Sequence, residues 1–137
     1  MKSLFYFSPS TIPSRYANAV HVMKMCNQFS TMLDHVYLYC KTTKDLSQDV
    51  VGDYYGIRPL PFEIICFKGS ESNRIQSLKY VLNGVRHILK FKPDIVLTRH
   101  NWLIPFIPFF NGNIRMVIEL HAPPNKMTAF FLKRYIR

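Results

Sequence analysis

Acidic residues are scarce in this 137-residue chain: 8 Asp and Glu stand against 18 Lys and Arg, for a formal net charge of +10. Glycine is scarce too, with 5 in the whole chain. None is arranged as G-x-G-x-x-G, so the close backbone approach to a pyrophosphate that a dinucleotide site requires has no carrier. There is no P-loop, and no G-x-S-x-G elbow of a serine hydrolase. The 3 cysteines, Cys26, Cys40 and Cys66, are odd in number and form no C-x-x-C, which excludes a disulfide framework and a cysteine zinc site. A reducing cytosol suits them. His21, His35, His87, His100 and His121 form neither H-E-x-x-H nor an i,i+4 pair, so no metal site is expected; His35 and His87 read as surface residues. A spanning helix needs about 20 apolar residues. The most apolar stretch, 102–110, falls short of that and holds Pro105 and Pro108. The apolar run at 4–7 meets Ser8 and Pro9 at once and is too short for a signal peptide.

What is present is a globular composition: 48% hydrophobic, 15% aromatic and 19% charged residues, with a mean hydropathy of −0.02. Disorder needs low hydrophobicity and high charge, and is excluded as the overall state. The length suits one domain. The charge is lopsided: residues 1–67 carry 6 basic and 5 acidic side chains, residues 68–137 carry 12 and 3. A basic half favours phosphate-bearing partners: nucleotides, anionic lipid surfaces or nucleic acid.

Strand-like and helix-like segments alternate. Strands are expected at 4–7, 36–40, 62–67, 95–98 and 114–120. A helix over 15–32 is expected from apolar positions recurring at Ala19, Val22, Met23, Cys26 and Phe29, capped by Ser14. A short helix over 44–55 stops at Gly56. A longer one over 70–91, capped by Ser70 and ended by Pro93, shows Ile75, Leu78, Val81, Leu82, Val85, Ile88 and Leu89 on one side. Residues 101–110 read as helical with proline interruptions up to Gly112, and 126–137 as an amphipathic helix. This order predicts an α/β, Rossmann-like, doubly wound parallel sheet with helices on both faces. It ends on a helix with no following strand and leaves the fifth strand as an apolar edge, which predicts a piece of a longer polypeptide.

In such sheets ligands bind outside the carboxyl ends of the strands, where strand order reverses. Polar residues gather at three such ends: Ser14, Arg15, Asn18 and His21 after the first strand, Arg99, His100 and Asn101 after the fourth, Glu119 and His121 at the fifth. Arg15 reads as an anion contact at a helix N-terminus or as a solvated cation. His121 reads as a donor or proton-transfer group or as a structural imidazole. Glu119 needs a partner if buried; Arg99 on the neighbouring strand is the expected one, in a structural ion pair. The stretch 102–110 reads as packing, and the terminal helix, basic and amphipathic, either packs or lies on lipid.

The opening Leu4-Phe5-Tyr6-Phe7-Ser8-Pro9, then Pro13-Ser14-Arg15-Tyr16-Ala17-Asn18-Ala19-Val20-His21, then His35-Val36-Tyr37-Leu38-Tyr39, Pro93-Asp94-Ile95-Val96-Leu97-Thr98-Arg99 and Val117-Ile118-Glu119-Leu120-His121, taken in order, resemble the N-terminal half of a family 4 glycosyltransferase of the GT-B type. The resemblance covers nearly the whole chain. It implies one incomplete half of a two-domain fold, with residues 1–137 as the acceptor-side domain and a separate C-terminal domain binding the nucleotide-sugar and carrying a pair of glutamates. It implies a retaining, generally metal-independent transfer of a sugar from nucleotide-sugar to acceptor. His121 matches the histidine that faces the donor sugar. Ser14, Arg15 and Asn18 match the loop that approaches acceptor or donor phosphates, although Pro13-Ser14-Arg15 replaces the glycine pair frequent there. Arg99 matches an arginine with a structural role. His21, His100 and Glu119 complete the expected substrate-binding set. No cofactor beyond the nucleotide-sugar co-substrate is implied, and the chain alone is expected to be inactive, needing a donor domain from a longer chain or a second polypeptide. The alternative is a non-enzymatic basic module attaching to an anionic membrane or a partner chain. The expected location is cytoplasmic, with peripheral contact at the inner face of a membrane allowed. Nucleic acid ranks last as a partner, because no recognised motif accompanies the charge.

Overall fold

Phe5 and Phe7 point to one side of the first strand, Leu4 and Tyr6 to the other, and all four are buried. A strand apolar on both faces belongs inside a sheet covered on both sides. The computed structural model describes residues 2–69, 73–110 and 112–135. Its elements run β1 (Ser3–Thr11), α1 (Ala17–Phe29), β2 (His35–Thr42), α2 (Gln48–Tyr55), β3 (Glu63–Lys68), α3 (Arg74–Phe91), β4 (Ile95–Thr98), a 3-10 helix (Asn101–Phe109), β5 (Arg115–Ile118) and α4 (Lys126–Tyr135). The strands form one sheet in the order β3-β2-β1-β4-β5, every pair parallel. The chain is therefore α/β and Rossmann-like, as the alternation predicts.

Two cores flank the sheet. On one face Ala19, Val22, Met23 and Cys26 of α1 and Val51 of α2 pack on Leu4, Tyr6, Leu38 and Leu97. On the other, Tyr80, Val81, Val85 and Ile88 of α3 and Leu103 of the 3-10 helix pack on Phe5, Phe7, Tyr39 and Val96. β1 sits between β2 and β4, so the switch point lies where β1 and β4 release the chain side by side. β5 is an edge strand with Val117 half exposed. It is only four residues long and bears exposed Arg115, two features that blunt an edge against further pairing.

Several local expectations are corrected. β1 does not end at Phe7. It continues to Thr11 through a register shift against β2, with Pro9, which has no N–H to give a ladder, inside the irregular part. The buried Ser8 hydroxyl accepts from the Ser10 N–H at 3.1 Å and keeps that bend intact. Ser14 is not the cap of α1. Its hydroxyl accepts from Tyr16 N–H at 3.3 Å, forming a turn ahead of the helix, and Tyr16 takes the cap position without a side-chain bond. α2 begins at Gln48, capped by Ser47, whose hydroxyl accepts from Val50 N–H. Gly56, at φ 69°, ends it as expected. Ser70 lies outside the described residues; the cap of α3 is Asn73, whose side-chain oxygen accepts from Gln76 N–H at 2.8 Å.

The largest correction concerns which side of α3 is buried. The buried stripe is Tyr80, Val81, Gly84, Val85 and Ile88, while Ile75, Leu78, Leu82 and Leu89 are exposed. Gly84 is the cause. A Cβ there would run into the rings of Phe7 and Tyr39, so the bare backbone lets the helix settle onto those aromatics. That contact turns Leu78 and Leu82 outward. His87 is half-buried, its ring stacked on Phe91, and so lies only partly at the surface.

Candidate functional site

Arg99 and Glu119 leave the carboxyl ends of the adjacent strands β4 and β5. Arg99 Nε donates to Glu119 Oε2 at 2.7 Å and Nη2 to Oε1 at 2.9 Å. This is a fork-to-fork pair, the geometry in which guanidinium and carboxylate bind most strongly. The Arg99 side chain is 12% exposed and that of Glu119 38%. The guanidinium holds the Glu119 carboxyl below the usual carboxylate range, against a smaller opposing effect of burial. His121 joins the same carboxylate, Nε2 to Oε1 at 3.3 Å, with its ring 63% exposed. His21 of α1 adds a weaker favourable field at Glu119. The structure thus gathers Arg99, Glu119, His121 and His21 around one carboxylate, and the expected Arg99–Glu119 ion pair is present. Tyr6 lies beneath the group, its hydroxyl buried without a hydrogen-bond partner among the described residues and its pKa pushed up to about 12 by burial.

His100 sits one residue beyond Arg99 but on the other side of the sheet. Its backbone N–H donates to Thr98 Oγ1 at 2.9 Å, and that hydroxyl donates to Phe7 C=O at 3.2 Å. The ring rests edge-on against Phe7 and beside Tyr80. Burial, with help from the nearby Lys41 charge, lowers its pKa to about 4. His100 is therefore a neutral imidazole at physiological pH, and its buried Nδ1 has no hydrogen-bond partner among the described residues. Tyr80 ties this region together: its hydroxyl donates to Ser8 C=O, and its own carbonyl accepts from the Tyr39 hydroxyl at 2.7 Å. A buried phenol needs such a partner. The sequence shows Tyr80 only as one aromatic in a helix.

Ser14, Arg15 and Asn18 are not drawn into the Arg99 group. Ser14 is held by Tyr55 of α2, whose hydroxyl accepts from Ser14 N–H at 2.7 Å and donates to Ser14 C=O at 2.8 Å. Asn18 turns its side-chain oxygen onto Ala19 N–H at 2.8 Å. Arg15 is exposed. Tyr55 went unrecognised in the sequence as the residue that fixes this loop, because it lies 41 positions away.

Two concavities flank these groups. One, of about 510 Å³, opens beside Pro9, Arg99 and His100 between α3, the 3-10 helix and α4, with Leu78, Trp102 and Met127 among its walls. The other, of about 620 Å³, runs along β4 and β5 beside α1, floored by Leu97 and Val117 and rimmed by His21 and Glu119. The Arg99–Glu119 pair stands between them, since Arg99 lines the first and Glu119 the second. Among the described residues no three His, Cys, Asp or Glu side chains come together as a metal site. No described helix is long and apolar enough to cross a membrane. In comparisons with known proteins, no family model and no curated protein matches the chain.

Proposed function

We propose that this chain is the acceptor-side part of a retaining glycosyltransferase, which moves a sugar from a nucleotide-sugar to an acceptor. The observation that carries the reading is the set of Arg99, Glu119 and His121 at the carboxyl ends of β4 and β5, beside the switch point of a β3-β2-β1-β4-β5 sheet. That is where an open parallel sheet binds its ligand. It is also the position that the resemblance to family 4 glycosyltransferases gives to a donor-facing histidine.

Each residue then has a role. Arg99 fixes Glu119 through two bonds, and Glu119 fixes His121 through Nε2. The imidazole is presented with Nδ1 available to a sugar hydroxyl. Arg15 and Asn18, exposed at the start of α1, face acceptor hydroxyls or phosphate. Charge developing on the leaving phosphate would be met by a donor domain, supplied by a longer chain or a second polypeptide. The chain alone then supports neither transfer nor sugar-nucleotide hydrolysis.

The test is a sugar-nucleotide hydrolysis and transfer assay on the chain alone and on the chain joined to whatever its gene encodes next. Activity confined to the longer form, and lost on His121→Ala with folding retained, supports the reading. Activity in the longer form that His121→Ala leaves untouched removes His121 from the site. Activity in neither form overturns the proposal.

A further inference from the structure

The outward turn of α3 leaves apolar side chains in solvent, and they do not stand alone. Leu78 of α3, Trp102 of the 3-10 helix and Met127 of α4 border the same 510 Å³ cavity, and all three are exposed. Met127 is 60% exposed, and Phe130, one turn further along α4, is 59% exposed. Ile75, one turn before Leu78, extends the patch along α3. Monomeric soluble proteins rarely keep so much contiguous apolar surface without a use for it.

The helices that border this patch carry charge of one sign. α3 contributes Arg74, Lys79, Arg86 and Lys90, and α4 contributes Lys126, Lys133 and Arg134. Within α3, the 3-10 helix and α4 there is no Asp or Glu at all. Of the described carboxylates off these helices, Glu119 beside the cavity is committed to Arg99, and Glu63 acts further along α3, at His87. A duplex nucleic acid would be met by cations without exposed Leu, Met and Phe between them. An acidic protein partner would need hydrogen-bonding groups at the centre of the patch. Helices whose exposed apolar side chains are interleaved with Lys and Arg and that hold no acid of their own match an anionic bilayer: the apolar groups enter the acyl boundary while the cations meet the headgroups.

We infer that the face formed by α3, the 3-10 helix and α4 docks on an anionic lipid surface, with the cavity behind Trp102 open to one apolar chain. The cavity walls suit this, because Leu78, Ile104, Phe106 and Phe131 offer hydrocarbon contact while Arg99, His100 and Asn101 lie at one side. The inference does not depend on glycosyl transfer and would hold for a chain without enzymatic activity.

Trp102 is the single tryptophan and stands at the cavity mouth, so its fluorescence reports on this face alone. The 137-residue chain is mixed with phosphatidylcholine vesicles, with and without phosphatidylglycerol, and with vesicles whose acyl chains carry bromine. The expected result is a blue shift and quenching by brominated chains on anionic vesicles only, reversed at high salt. Lys126→Glu/Lys133→Glu/Arg134→Glu is expected to weaken partitioning about tenfold or more, since each cation near a charged bilayer contributes about 1 kcal/mol. Met127→Asp is expected to reduce the quenching while far-UV circular dichroism stays unchanged. Failure of the wild-type chain to co-sediment with anionic vesicles overturns the inference. So does equal binding to neutral vesicles, or binding to duplex DNA in preference to lipid.

Discussion

Arg99 closes a two-bond fork on Glu119 across the ends of β4 and β5, and His121 reaches the same carboxylate at 3.3 Å. The guanidinium is the buried partner and the carboxylate the wetter one, so removing the carboxylate leaves the buried cation alone. Glu119→Gln is expected to destabilise the fold by about 1–2 kcal/mol, nearer the cost of an unsatisfied buried polar group than that of a surface pair. The pH dependence follows from the depressed Glu119 carboxyl. Its folded pKa lies below its unfolded one, so its stabilisation is complete above the unfolded carboxylate value and is lost as pH falls through the folded value. Chemical denaturation at pH 7 and pH 3 measures this. Glu119→Gln should narrow the difference between the two, and an unchanged difference would show that the pair carries no stability.

Gly84→Ala tests why α3 lies as it does. On an exposed helix face the change would gain about 1 kcal/mol in helix propensity. Here the new Cβ meets the buried ring of Phe7, and that of Tyr39 at 2.7 Å. Tyr39 is stacked on Tyr80 and Phe7 is wedged between Tyr39, Tyr80 and His100, so neither ring can swing aside. Overpacking of a tight core costs about 1–3 kcal/mol, so the sign is predicted to reverse and the variant to melt lower. A rise in Tm on Gly84→Ala would mean that the helix does not rest on Phe7.

The three thiols are predicted to differ in reactivity. Cys40 and Cys66 face each other across β2 and β3 with their sulfurs 3.9 Å apart. The contact from Cys40 lowers the pKa of exposed Cys66 and raises that of buried Cys40, while burial alone raises Cys26. The thiolate is the nucleophile. Limiting iodoacetamide at pH 8 should therefore label Cys66 first, and mass spectrometry of the digest identifies the site. Label arriving first on Cys26 would contradict the arrangement.

How much of this is legible beforehand depends on whether the determinant is local. The strand at Ile95–Thr98 lies where the sequence predicts it, because a short apolar run between Pro93 and Arg99 has no other reading. The Arg99–Glu119 pair is legible too, since parallel alternation puts both residues at the same sheet edge and a half-buried carboxylate needs a cation. Other features are invisible locally. The side of α3 that packs is set by the rings of Phe7 and Tyr39 acting on Gly84, not by the helix's own apolar count. The Ser14 loop is fixed by a phenol from α2. The cap of α3 is Asn73, a residue that the apolar spacing of the helix does not single out.

His100 makes the last prediction, and it bears on both stability and chemistry. Burial holds its pKa near 4, below the usual histidine value of about 6.5. The unfolded chain therefore binds a proton between those values that the folded chain refuses. Stability must fall as pH drops from about 6.5 toward 4, a window above the one in which Glu119 acts. His100→Phe keeps a ring against Phe7 and Tyr80 and removes the buried, unpaired Nδ1. Its unfolding free energy should decline less between pH 6.5 and 5 than that of the wild type, the remaining decline coming from His87, whose pKa burial also lowers. In the wild type, the His100 ring protons should not shift in NMR spectra between pH 8 and 5. A shift with a midpoint near 6.5 would place His100 in solvent and cancel both expectations. With the midpoint near 4, any part His100 takes in binding at neutral pH is that of a neutral hydrogen-bonding ring at the 510 Å³ cavity it lines.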